Sequence, residues 1–81
     1  MKTVDDYALE VVLGEYGDGE DRIKLLGDKY TEVQKRVDEL HGIADEVIQG
    51  KWGYGWNREQ ALNGAGYPYE IVQRIVNQKS A

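Results

Sequence analysis

Cysteine is absent from the 81 residues, so no disulfide, thiolate nucleophile or cysteine-based metal site can form. The redox compartment therefore stays open. Phenylalanine is also missing, and proline and histidine each occur once. Positive charge is scarce: ten Lys and Arg stand against fifteen Asp and Glu, a net charge of −5. A phosphate backbone is repelled by such a chain, which argues against nucleic acid as a partner. No apolar run approaches the roughly 20 residues of a membrane span. The opening MKTVDDYALE puts two acids where a signal peptide carries its apolar stretch, so no targeting segment or membrane partner is expected. A chain this short builds one compact domain or two very small ones, without the deep enclosed pocket of an enzyme. Any ligand must be met on a groove or surface.

What the sequence does contain is one unit written twice. VVLGEYGDGEDRIKLL lies over VIQGKWGYGWNREQAL at a shift of 36 positions, with Ala8, Glu10, Val11, Gly14, Gly17, Gly19, Arg22 and Leu26 all recurring. Beyond that the shift becomes 39, and Gly27, Tyr30, Val33, Gln34 and Val37 match Gly66, Tyr69, Val72, Gln73 and Val76. The second copy has three extra residues in or near NGA.

Each copy reads as three short helices, so the fold expected is all-α: two tandem three-helix bundles over residues 5–41 and 42–78. Val4, Ala8, Val11 and Val12 form a stripe at helical spacing, as do Ile43, Ala44, Val47 and Ile48. Gly14 and Gly50 end these helices. A second helix of about two turns starts near Gly19 or Gly55 and stops before Gly27 or Gly66. Thr31 and Gln34 have capping-box spacing for the third helix of copy one, and Pro68 falls near the first turn in copy two. Gly42 is the only break between the copies. Folds of about 40 residues are marginal alone, which favours docking of the two units.

The strings GKWGYGWNR, GAGY and VQRIVN resemble the CW-seven cell-wall-binding repeats of phage lysins, over residues 5 to 78. The resemblance implies choline-independent binding of peptidoglycan, through its disaccharide and first stem amino acids. It also implies a role at the bacterial cell wall beside an attached catalytic lysin domain, with this chain as a non-catalytic module from a larger endolysin. Copy two matches more closely. Copy one has Tyr16 in place of Trp52 and Asp38 in place of Asn77. The wall is itself largely anionic, so hydrogen bonds and stacking, rather than long-range attraction, must hold such a chain to it.

The candidate ligand residues are the recurring ones. Arg22 and Arg58 offer a fork that holds a stem-peptide carboxylate bidentately, or else a structural bond to Glu10 or Glu46 or to loop carbonyls. Tyr16 and Trp52 lie among loop glycines, where a ring can pack on a sugar face and Gly19 and Gly55 allow close backbone approach. The competing reading makes Trp52 a lid on the core, and Trp56 stays open between the two. Gln34 and Gln73, with Asp38 and Asn77 one turn on, place polar groups on one face of the third helix, suited to N-acetyl and peptide groups. Tyr30 and Tyr69 read as structural. His41 has no counterpart and is expected near a helix end, as a cap or exposed residue. GEYGDGED fails the EF-hand pattern, so no metal or other cofactor is expected. The alternative function is a helical protein-binding module of the ubiquitin-associated type, prompted by GAGYPYEIVQRIV. That family puts its loop between the first and second helices, and here it falls between the second and third.

Overall fold

Thr3 opens the first helix with a reciprocal cap. Its hydroxyl accepts from the Asp6 backbone N–H (3.1 Å), and the Asp6 carboxylate accepts from the Thr3 N–H (2.9 Å). Two of the donors that every helix start leaves unpaired are thereby satisfied. Helix α1 runs Val4–Val12 and buries Ala8 and Val11. It is followed by α2 (Gly19–Leu26), a short 3-10 turn (Gly27–Lys29), α3 (Tyr30–Ile48), α4 (Gly55–Gly64) and α5 (Tyr69–Ser80). The computed structural model describes residues 1–80, which contain no strand. The chain is all-α.

Gly14 and Gly50 stop their helices by one mechanism. Both take a positive φ, +87° and +84°, which a residue with a Cβ adopts only under strain. Gly14 N–H donates to Val11 O and Glu15 N–H to Glu10 O, both at 3.0 Å. Gly50 N–H and Lys51 N–H repeat the pattern onto Val47 O and Glu46 O, again at 3.0 Å. This paired reversal satisfies carbonyls the helix end would leave open. Gly66 repeats it after α4, with Gly66 N–H on Asn63 O (3.1 Å) and Tyr67 N–H on Leu62 O (2.9 Å).

The backbone divides into two compact units, one over Met1–Asp38 and one from Glu39 onward. Unit one buries Ala8, Val11, Leu26, Val33 and Val37; unit two buries their counterparts Ala44, Val47, Leu62, Val72 and Val76. Ile43, Ile71 and Ile75 enlarge the second core. Each Val, Leu or Ile so buried contributes about 1.5–3 kcal/mol of transfer free energy. A salt bridge ties helices together in each unit: Arg36 to Asp5 (2.7 Å) between α3 and α1, and Lys79 to Asp45 (2.7 Å) between α5 and α3.

Three expectations need correction. Thr31 does not cap α3, because the 3-10 turn carries the chain straight into Tyr30 and Gln34 turns its side chain to Asp38 instead. The capping box lies at Thr3 and Asp6. Gly42 does not break the chain: α3 is one helix of 19 residues through it. In an otherwise favourable helical run a single glycine costs about 1 kcal/mol, which neighbouring turns on both sides override. For the same reason His41 lies half-buried inside a helix rather than near an end.

Candidate functional site

The loop between the first two helices of each unit turns at Gly17 (φ +62°) or Gly53 (φ +76°). These two glycines aim their carbonyls at the arginine one turn into the next helix. Arg22 Nη2 donates to Gly17 O (3.1 Å), and Arg58 Nε donates to Gly53 O (3.2 Å). The same guanidinium reaches across to the third helix. Arg22 Nη1 donates to Gln34 Oε1 at 2.8 Å, and Arg58 Nη1 to Gln73 Oε1 at 3.5 Å. The glutamine amide then donates onward, Gln34 Nε2 to Asp38 Oδ1 and Gln73 Nε2 to Asn77 Oδ1, both 2.9 Å. A relay of loop carbonyl, arginine, glutamine and a residue one turn further is thus built twice. It joins six of the candidate positions: Arg22, Gln34 and Asp38 in one unit, and Arg58, Gln73 and Asn77 in the other.

Tyr16 and Trp52 do not join the relay. Tyr16 donates its hydroxyl to Glu10 Oε1 (2.8 Å), and Trp52 Nε1 donates to Glu46 Oε1 (3.0 Å). The glutamates weighed as arginine partners are therefore engaged by the loop aromatics. Trp52 is half-buried and meets the Tyr67 ring edge-on at 6.0 Å, the geometry of a lid at the core's rim. Tyr16 is likewise half-buried, tilted against Tyr7 at 6.5 Å. Lys2 also donates to Glu10. That bond, then the Tyr16 hydroxyl, holds the Glu10 carboxyl below its usual range, while the bond to Glu10 raises both the Lys2 ammonium and the Tyr16 phenol.

Gly19 and Gly55 are the first residues of α2 and α4, exposed, with open space where a side chain would project. Their accessibility fits close approach by a ligand. The carbonyls that hold the arginines belong to Gly17 and Gly53, which the choice of Gly19 and Gly55 passed over. Recurrence in both copies was the available signal.

Unit two adds surface that unit one lacks. Tyr54 and Trp56 are 75% and 73% exposed, so neither serves the core. The Tyr54 ring stacks with the Arg58 guanidinium, 5.7 Å from centroid to Cζ. An open groove of about 250 Å³ is lined by Gly50, Tyr54, Arg58, Val76 and Ser80, among others. In unit one a more apolar groove of about 340 Å³ lies by Tyr16, Gly17, Asp21, Lys24 and Leu25.

The sequence matches the CW_7 repeat twice, at residues 5–40 and 41–79. Over 39 residues, 48% of this chain, it is 49% identical to the lysozyme of Streptococcus phage Cp-7, and that stretch is 11% of the phage protein's length. No solved structure matches. Two matches that together span nearly the whole chain, each centred on one copy of the arginine–glutamine relay, place this protein in the CW_7 repeat family as a tandem pair of cell-wall-binding repeats.

Proposed function

We propose that the chain is a non-catalytic module that binds peptidoglycan through its muropeptide units and holds an attached lysin on the bacterial wall. The observation that carries this reading is the duplicated relay. Arginine is a donor with no acceptor capacity, and in both repeats it sits in the first turns of a helix whose N-cap side chain makes no capping bond. Such a place favours an anion, and a stem-peptide carboxylate supplies one. Gln34 and Gln73, half-buried beside it, offer amides to the peptide and N-acetyl groups. In repeat two the exposed Tyr54 and Trp56 add flat faces for a sugar ring. Gly19 and Gly55 leave the approach open. Tyr16 and Trp52 support the loop that carries these groups.

The match to 11% of a phage lysozyme supports the attachment to a hydrolase, and catalysis would then lie outside these repeats. The ubiquitin-associated alternative is not favoured, since the GAGY loop joins α4 to α5, the second and third helical segments of its repeat.

Sedimentation with purified sacculi tests the reading. Binding is expected to persist in millimolar choline and in moderate salt, because an acidic chain without dense aromatic cages gains little from either quaternary ammonium recognition or long-range attraction. Release by choline, or by modest salt alone, would overturn it.

A further inference from the structure

The two relays are alike up to their last residue, where they diverge in chemistry. Arginine can only donate, so Arg22 and Arg58 oblige Gln34 and Gln73 to face them with the amide oxygen. Each glutamine must then turn its NH₂ group toward the next position, and that position must answer with an oxygen, as it does at 2.9 Å in both repeats. In repeat one the answering group is the Asp38 carboxylate, whose second oxygen is a charged acceptor. In repeat two it is the Asn77 amide, whose oxygen is engaged by the glutamine and whose N–H₂ group is an uncharged donor where Asp38 has a charged acceptor. Both residues are exposed. Asn77 lies one turn before Ser80 and directly after Val76, the two α5 residues bordering the Arg58 groove. The direction imposed by arginine therefore gives the two repeats opposite hydrogen-bond polarity, and one unit of charge difference, at an equivalent surface position.

We infer that position 38 in repeat one and position 77 in repeat two set a division of labour. Repeat one selects a stem peptide whose second amino acid carries a carboxamide, and repeat two selects the free carboxylate form. This rests on the muropeptide reading and refines it. A carboxamide N–H satisfies Asp38, whereas a carboxylate there meets a like charge. A carboxylate satisfies the Asn77 N–H₂ group with a charge-assisted bond. Both sites are exposed, so the discrimination is modest, about fivefold in dissociation constant for each repeat. A tandem of opposite preferences retains the wall whether its stem peptides are amidated, free or mixed.

The test is an NMR titration of the full chain with two disaccharide-dipeptides that differ only in carboxylate or carboxamide at that position. Gly17 and Gln34 report repeat one, and Gly53 and Gln73 report repeat two. In the parent chain, the repeat-one signals are expected to move at about fivefold lower concentration of the carboxamide, and the repeat-two signals at lower concentration of the carboxylate. Asp38→Asn should give repeat one the preference of repeat two, and Asn77→Asp the reverse. Both substitutions are isosteric on an exposed helix face, so unchanged signals in the other repeat verify folding. Binding in which each repeat keeps its preference through both substitutions, or in which neither repeat has one, overturns the inference and leaves the muropeptide reading standing. No shift with either ligand in either repeat overturns both.

Discussion

Glu10 accepts from two groups that titrate, the Lys2 ammonium and the Tyr16 phenol, while Glu46 accepts from the Trp52 indole, which does not. The pH response of the loop anchor should therefore differ between repeats. Glu10 is held below its unfolded value, so its contribution to stability is complete above the ordinary carboxylate range and is lost as pH falls through the depressed folded value. Lys2 and Tyr16 are raised, so theirs is complete below their ordinary values and is lost as pH climbs through the raised ones. The difference in thermal midpoint between the parent and Glu10→Gln should be widest near neutrality and close on acidification; a difference that persists in acid would show that the contact is not ionic. The arginines make the second residue-scale expectation. Arg58 is attached to its glutamine at 3.5 Å, against 2.8 Å for Arg22, and stands beside Tyr54 and an open groove. Repeat two also carries four acids and four bases, whereas residues 1–41 carry eleven acids and six bases. Arg58→Ala should weaken retention on sacculi more than Arg22→Ala, with helical circular dichroism near that of the parent. Retention like the parent's in both variants would make the arginines structural.

At the scale of the element, α3 is the feature that the sequence obscured. Gly42 resembled a boundary because glycine so often ends helices, but its φ is not positive and open space surrounds the place of its Cβ. Apolar periodicity on both sides, through Val33, Val37 and Leu40 and then Ile43, Ala44 and Val47, keeps the helix going. Gly42→Ala should therefore raise stability by about 0.5–1 kcal/mol, as expected where a helical glycine yields to alanine without strain. Chemical denaturation would show it as a higher midpoint with unchanged slope; a lower midpoint would mean that the backbone at residue 42 needs glycine after all. The contrast with Gly14 and Gly50 is conformational. Those two sit at positive φ and carry the reversed hydrogen bonds of a helix stop, whereas Gly42 is an ordinary helical residue.

For the whole molecule, the consequence of duplication under the proposed function is avidity. Two weak sites on one chain facing a polymeric wall can exceed either affinity by about two to four orders of magnitude. Combining Arg22→Ala with Arg58→Ala should lower retention on sacculi far more than either change alone, while binding of a single soluble muropeptide at the intact repeat should stay unchanged in each single variant. Retention that falls no further in the double variant than in Arg58→Ala would mean that one repeat does all the binding.

The repeat, the all-α class, the helix stops at Gly14 and Gly50 and the recurring core positions were legible in the sequence, because each rests on local periodicity or on a glycine whose backbone requirement is local. Ala8, Val11, Leu26, Val33 and Val37 recur at fixed offsets and are buried in both copies. The candidate site was legible only as a set of recurring residues. Their wiring was not, since Arg22 and Gln34 are 12 positions apart, Arg58 and Gln73 are 15 apart, and only tertiary packing decides which helix faces which. The sequence left the arginines a choice between a ligand carboxylate and structural bonds to the glutamates or loop carbonyls, and it left Trp56 open between a lid on the core and a sugar platform. Packing decided only part of this: Glu10 and Glu46 bond the loop aromatics while loop carbonyls meet the arginines, and Trp56 is exposed rather than packed in the core. By itself the sequence determined what each turn of helix would bury; the tertiary structure decided which polar groups meet, because a hydrogen bond needs its partners within about 3 Å and correctly aimed, a condition that periodicity along one chain does not contain.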